Sequence, residues 1–141
     1  MKRMLRLGEV LIEAWIFLVL MICFHEYAHV QMLHLLGGDG HVKYTFLSGY
    51  TKVTAIPIYE HWYILTALAG GGTVVLVYYV LDVLIREAGA SIALRLVIGH
   101  QLPYAIMEGL GLNCLPVCNI VIGLGMILAT IWSLPLFKEL M

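Results

Sequence analysis

Long apolar runs separated by short polar breaks make up the chain. From Leu7 to Leu36 apolar residues dominate, and Trp15 to Phe24 carries no charge at all. Apolar runs of about 20 residues are long enough to cross a bilayer as helices. Gly37-Gly38-Asp39-Gly40 should end this first helix, because glycine supplies the left-handed cap and a polar turn. Between His41 and Ile58 the pattern changes. Val42-Lys43-Tyr44-Thr45-Phe46 alternates, Ser48-Gly49 turns, and Thr51-Lys52-Val53-Thr54-Ala55-Ile56 is rich in β-branched residues. This predicts a β-hairpin stopped by Pro57, with a plain connecting loop as the other reading. As a hairpin it offers an edge strand on which an extended peptide could pair.

Tyr59-Glu60-His61-Trp62-Tyr63 has the composition of an interfacial aromatic belt. A second span is predicted from about Trp62 to Leu84, and its Ala69-Gly70-Gly71-Gly72 stretch allows close helix approach. Asp82 and Arg86, at i and i+4, are expected to form a surface pair. Ser91 is expected to cap a third span, Ile92 to Leu112, which Pro103 should kink and in which Glu108 lies deep in an apolar stretch. A fourth span is predicted from Ile120 to Leu134, closed by Pro135 and Lys138. The expectation is an all-α membrane protein of about four transmembrane helices with a short β-hairpin after the first helix. It is a single integral-membrane domain over 1–141, with its core at 7–112 and an additional helix at 120–134.

Composition agrees with this expectation. The 141 residues are 62% hydrophobic and 12% charged, with mean hydropathy +0.94, well beyond a soluble domain. The net charge of -1 argues against a nucleic-acid partner and leaves the lipid bilayer as the expected surroundings of a multi-pass chain. Lys2, Arg3 and Arg6 ahead of an apolar run resemble a signal peptide, but no small-x-small cleavage site follows, and Ile22 before Cys23 is too large for a lipoprotein site. The helix is therefore expected to belong to the mature fold. Three cysteines make no disulfide framework. Cys114 and Cys118, flanking Leu115-Pro116-Val117, read as small apolar residues near a helix end rather than as a bridge or a metal pair. Lys2, Arg3, Arg6, Arg86 and Lys138 fall on one side of a four-span arrangement, and Lys43 and Lys52 on the other; the positive-inside rule then puts both termini in the cytoplasm.

The chemistry lies in His25-Glu26-Tyr27-Ala28-His29. At about 100° per residue, His29 lies about 40° around the helix from His25 and one turn on, so both imidazoles can reach one ion. Neutral imidazoles suit zinc, which lowers the pKa of a bound water to about 7. Glu26, beside that ion, can take the water's proton and pass it to a leaving amine. A glutamate and two histidines inside an apolar helix are costly at membrane depth, which favours a functional reading. Catalytic zinc generally takes three protein ligands and a water. Glu60, His61, Asp82, His100 and Glu108 are the candidates for the third. Glu60 and His61 sit in the aromatic belt, and Asp82 has a partner, which leaves His100 and Glu108. Glu108 is favoured because its carboxylate would otherwise be unpaired in lipid. His34, nine positions after His25, points away, and Glu13 lies off the metal face.

Phe24-His25-Glu26-Tyr27-Ala28-His29 resembles the H-E-x-x-H helix of the site-2 protease family of intramembrane zinc metalloproteases. That family carries a small-residue G-P-x-x-N stretch on its next helix, which Ala69-Gly70-Gly71-Gly72 resembles without the proline and the asparagine. A later helix carries N-x-x-P-x-P-x-L-D-G. His100-Gln101-Leu102-Pro103-Tyr104-Ala105-Ile106-Met107-Glu108-Gly109 is similar to it without a gap, with His100 in place of the asparagine and Glu108 in place of the zinc-binding aspartate. The likeness spans about Leu7 to Leu112.

The resemblance implies zinc held by His25, His29 and Glu108, with Glu26 as general base. His100 would steady the oxyanion or the substrate backbone, and the substrate would be a transmembrane or membrane-associated peptide. It also implies an orientation opposite to that of the positive-inside rule. A catalytically inactive metal-binding membrane scaffold is the alternative, motivated by the departures at Gly71 and His100. A di-iron lipid oxidase needs more histidine boxes than the single one present.

Overall fold

A computed structural model describes residues 2–45, 48–85, 87–112 and 116–140, with side chains described for Arg6 and from Gly8 onward. The elements run α1 (Lys2–Leu35), β1 (Asp39–Tyr44), β2 (Gly49–Ala55), α2 (Trp62–Leu84), α3 (Ala88–Gly109) and α4 (Pro116–Leu140). The first helix ends as the glycines predict. Gly37 takes φ +81°, its N–H bonds to His34 O at 3.0 Å, and the Gly38 N–H reaches back to Leu33 O at 2.8 Å. This pairing satisfies two carbonyls at the helix end.

The hairpin forms where alternation predicts it. Its antiparallel register pairs His41 with Lys52, Val42 with Thr51 and Tyr44 with Gly49, with an irregularity between Asp39 and Gly40. Phe46 and Leu47 lie outside the described residues. The hairpin folds back along α1 rather than pointing away. A Cβ on Gly40 would lie 3.0 Å from the Leu33 side chain, and one on Gly49 would lie 2.8 Å from Glu26 Cγ and 3.2 Å from Ile22. Strand β2 is thereby brought alongside the H-E-x-x-H turn.

Helix α3 is the centre of the bundle. Ile92, Ala93 and Leu94 are fully buried, and Val74 and Tyr78 of α2 join Leu94, Val97 and Ile98 in the main apolar cluster. The Tyr78 hydroxyl donates to Phe17 O at 2.6 Å and so ties α2 to α1. Helix α4 packs on α3 at a crossing of glycines. A Cβ on Gly99 would meet Ala129, and one on Gly125 would meet Gly99 O and come within 2.7 Å of Pro103 Cγ. Pro103 has no N–H to offer the carbonyl four residues back, which is that of Gly99. The close approach of Gly125 covers this freed oxygen, in the manner of small-residue contacts between membrane helices.

Several local expectations need correction. Among the described residues, three of the four helices are long and apolar enough to cross a membrane: α1 from Gly8, α2 and α4. Helix α3 falls outside this set, and its Arg95, His100, Gln101 and Glu108 are polar. It begins at Ala88, and its cap is Glu87, whose carboxylate accepts from the Gly89 and Ala90 N–H groups. Ser91 is inside the helix. The helical pattern continues through Pro103, and α4 continues through Pro135 to Leu140. Asp82 is buried, and its partner is Arg95 of α3 at 3.0 Å. Arg86, its expected partner, lies outside the described residues, as does Cys114. Cys118 is buried in α4.

Candidate metal centre

His25, Glu26 and His29 are all buried, with 6–8% of their surface exposed. One ligand atom from each lies within 4.8 Å of the others, so the group could hold a metal ion. The two imidazoles meet through their Nε2 atoms, 2.8 Å apart, with rings at 87° to one another. This is the geometry that i, i+4 spacing dictates when both side chains lean toward the same neighbour.

That neighbour is the start of α2 and the end of α3. His29 Nδ1 donates to Thr66 O at 2.6 Å, which fixes the ring and leaves its Nε2 lone pair facing His25. Gly70 makes the space for that ring, since a Cβ there would lie 2.6 Å from His29 Nε2. From α3, Glu108 brings Oε2 to 3.4 Å from His25 Nε2 and Oε1 to 3.9 Å from His29 Nε2. Gly109, beside it, lies against Leu68 of α2, where a Cβ would have 3.1 Å of clearance.

Two carboxylates thus border the imidazole pair, and their surroundings differ. Glu26 Oε2 accepts the Thr51 hydroxyl at 2.8 Å. Glu108 Oε2 is buried and has no hydrogen-bond partner among the described residues. A buried carboxylate oxygen without a partner is expensive. Two imidazole nitrogens and this oxygen are a donor set that zinc accepts, with Glu26 left at the side. The donor chemistry therefore fits the metal.

Glu108 is the penultimate residue of α3. The expectation that it lies deep within its span is therefore corrected. His29 stands six residues before the end of α1, roughly 9 Å along the axis. The centre lies toward the hairpin end of the bundle.

His100 stands about two turns before Glu108 on α3. Its ring stacks on Tyr104 at 6.2 Å, and Tyr104 in turn lies 5.8 Å from the His25 ring. Glu60 and His61 precede α2 on the exposed surface, and His34 pairs with Asp39 at 2.9 Å. Glu13 Oε2 is buried in the N-terminal half of α1, facing Glu87 and Gly89 at the start of α3.

Two clefts open on the centre. The larger, about 380 Å³, is bordered by Glu26, His29, Thr51, Val53, Tyr104 and Glu108 among others. The smaller, about 160 Å³, includes His25, Glu26, Gly49, His100 and Gln101. Both touch Glu26, Gly49 and Tyr104, so the centre can be reached from either side of β2.

Sequence reasoning misses three contributors to the site. Thr66 acts through its backbone carbonyl, which has no sequence signature. Thr51 reads as an ordinary strand residue. Gln101, whose amide nitrogen lies 2.6 Å from His25 Nδ1, carries one usable signal: a long uncharged polar side chain in an otherwise apolar helix, next to His100. No protein-family model, curated protein or solved structure matches the chain.

Proposed function

We propose that the chain is an integral-membrane zinc metalloprotease that cleaves transmembrane peptides. The convergence of His25 Nε2, His29 Nε2 and the Glu108 carboxylate, whose Oε2 has no hydrogen-bond partner among the described residues, with Glu26 alongside, carries this reading. The resemblance of the His25–His29 and His100–Gly109 stretches to the site-2 protease family points the same way.

Insertion in a bilayer is supported by the outward faces of the apolar helices. Leu11 and Ile12 of α1, Leu76 and Val83 of α2, and Ile120 and Leu128 of α4 are each 62–66% exposed. In water such a continuous apolar surface would drive association, whereas lipid covers it without cost. The same surroundings explain why the polar groups of the centre face one another inside the bundle.

His25, His29 and Glu108 would hold the zinc. When bound, zinc supplies a Lewis acid that lowers the pKa of water to about 7 and polarises a carbonyl. Glu26 then takes a proton from the attacking water and returns it to the leaving amine. Thr51 holds the Glu26 carboxylate in place. His100, at the wall of the smaller cleft, is suited to bind a peptide oxygen. Tyr50, Thr51 and Val53 of β2 border the larger cleft, where an extended substrate can lie along the strand. A transmembrane substrate must unwind there, because a helical peptide bond is screened by its own hydrogen bonds.

The test is cleavage of co-expressed membrane peptides by the wild type and by Glu26→Gln, with zinc measured on both. Glutamine keeps the shape but cannot take the proton, so the rate should fall by about 10²–10⁴ while zinc stays. A wild type that holds zinc and cleaves nothing would leave the inactive metal-binding scaffold as the reading.

A further inference from the structure

We propose that Gln101 is a positioning residue whose side-chain amide sets the tautomer of His25 and, through it, the capacity of the His25–His29 pair to hold a metal ion. This rests on the reading of that pair as a metal centre.

The direction of each hydrogen bond follows from one fixed end. A backbone carbonyl only accepts, so His29 Nδ1, 2.6 Å from Thr66 O, must be the donor. A neutral His29 then has its lone pair on Nε2. His25 Nε2, 2.8 Å away, must carry the proton it donates there. With His25 neutral as well, its lone pair is on Nδ1, and the group 2.6 Å from it, Gln101, must present its NH2. Gln101, His25, His29 and Thr66 form one directed chain across three helices.

An ion bound by both Nε2 atoms needs a lone pair on each. His29 already meets this requirement, since Thr66 keeps its proton on Nδ1. His25 does not: its proton must leave Nε2 and one must be carried on Nδ1, with the ring neutral throughout. The partner of Nδ1 must then accept. A primary amide can do so by rotating half a turn, which puts Oε1 where Nε2 had been. A carboxylate there could only accept, and an ammonium could only donate. Gln101 is 1% exposed, so bulk water does not substitute for it. Its amide therefore supports both states of His25: the hydrogen-bonded pair and the metal-binding pair.

The experiment uses the full chain in detergent, stripped of metal with a chelator. Nitrogen-15 spectra of the histidine rings report which nitrogen of His25 is protonated. Zinc affinity is then measured by competition with a chelating dye for the wild type, Gln101→Glu and Gln101→Leu. In the stripped wild type, His25 should carry its proton on Nε2. In Gln101→Glu it should carry a proton on Nδ1, with zinc bound at least as tightly as in the wild type. Gln101→Leu, with no group to accept, should lose about 10–100-fold in affinity.

A stripped wild type with the His25 proton on Nδ1 overturns the proposal, and so does a Gln101→Leu protein that binds zinc as well as the wild type. If Gln101→Leu does not fold, the wild-type and Gln101→Glu tautomers decide the matter. A wild type that binds no zinc would overturn the metal centre itself. Zinc binding that is indifferent to position 101 would overturn only this inference.

Discussion

The Thr51 hydroxyl shares its one proton between two acceptors of Glu26, the carboxylate Oε2 at 2.8 Å and the backbone carbonyl at 3.2 Å. A strand residue 25 positions along the chain thus holds the glutamate of the H-E-x-x-H turn. The hairpin is thereby packed against the candidate metal centre. A hydrogen bond to a charged group contributes about 1.5–3 kcal/mol. Thr51→Val keeps the shape and removes the donor. Cleavage should fall roughly 10-fold or more with zinc content unchanged, and Thr51→Ser should restore it. Equal turnover in the valine variant would show that Glu26 does not need the hairpin.

Gly70 should be as important to the centre as a ligand. Any side chain there enters the space of the His29 ring, 2.6 Å from Nε2 at the first carbon. Gly70→Ala should displace the ring and lower zinc content, whereas Gly72→Ala, with nothing within 4 Å of its Cβ, should not. Equal zinc in the two variants would contradict this account.

The buried Asp82–Arg95 pair should be a structural tie rather than a functional one. Arg95 also donates to Trp132 O at 3.0 Å, and its guanidinium lies 4.4 Å from the Trp132 ring centre. It thereby joins α2, α3 and α4. Arg95→Leu leaves a buried carboxylate unpaired, which typically costs about 3–5 kcal/mol. The double variant Asp82→Asn with Arg95→Leu should recover part of that loss. Thermal unfolding in detergent is the measurement, and a single variant as stable as the double would be inconsistent with a buried pair.

These examples show where the chain could be read and where it could not. The His25–His29 alignment follows from four-residue spacing, and the hairpin from alternation followed by Pro57. Both are local periodicities. The same local logic matches Asp82 to Arg86, but its partner Arg95 comes from the facing helix, which spacing cannot reveal. Glu87 caps α3 in place of Ser91 because two backbone N–H groups reach its carboxylate. Glu108 sits near a helix end because α3 starts four residues earlier and stops three residues earlier than its hydropathy suggests. Gln101 and Thr66 act through tertiary contacts alone.

The hairpin base should be sensitive to acid. Asp39 accepts from His34, from the Gly40 N–H at 2.8 Å and from Thr54 at 3.2 Å. These donors, His34 foremost, hold its carboxyl below the ordinary 3.8. Because the folded value is the lower one, the stabilisation is fully present above that ordinary value and is lost as pH falls through the folded value. Protection of the Gly40 amide from hydrogen exchange should therefore drop below about pH 4 in the wild type and stay flat in Asp39→Asn. A drop of the same size in both proteins would rule out Asp39 as the titrating group.

The most direct test of the metal centre is the zinc content of three purified proteins: wild type, Glu108→Ala and His100→Ala. Glu108 approaches both imidazole nitrogens, while His100 stacks on Tyr104. The wild type should hold one zinc per chain, His100→Ala should keep it, and Glu108→Ala should lose it. Zinc retained in Glu108→Ala and lost in His100→Ala would contradict the assignment of Glu108 as the third ligand.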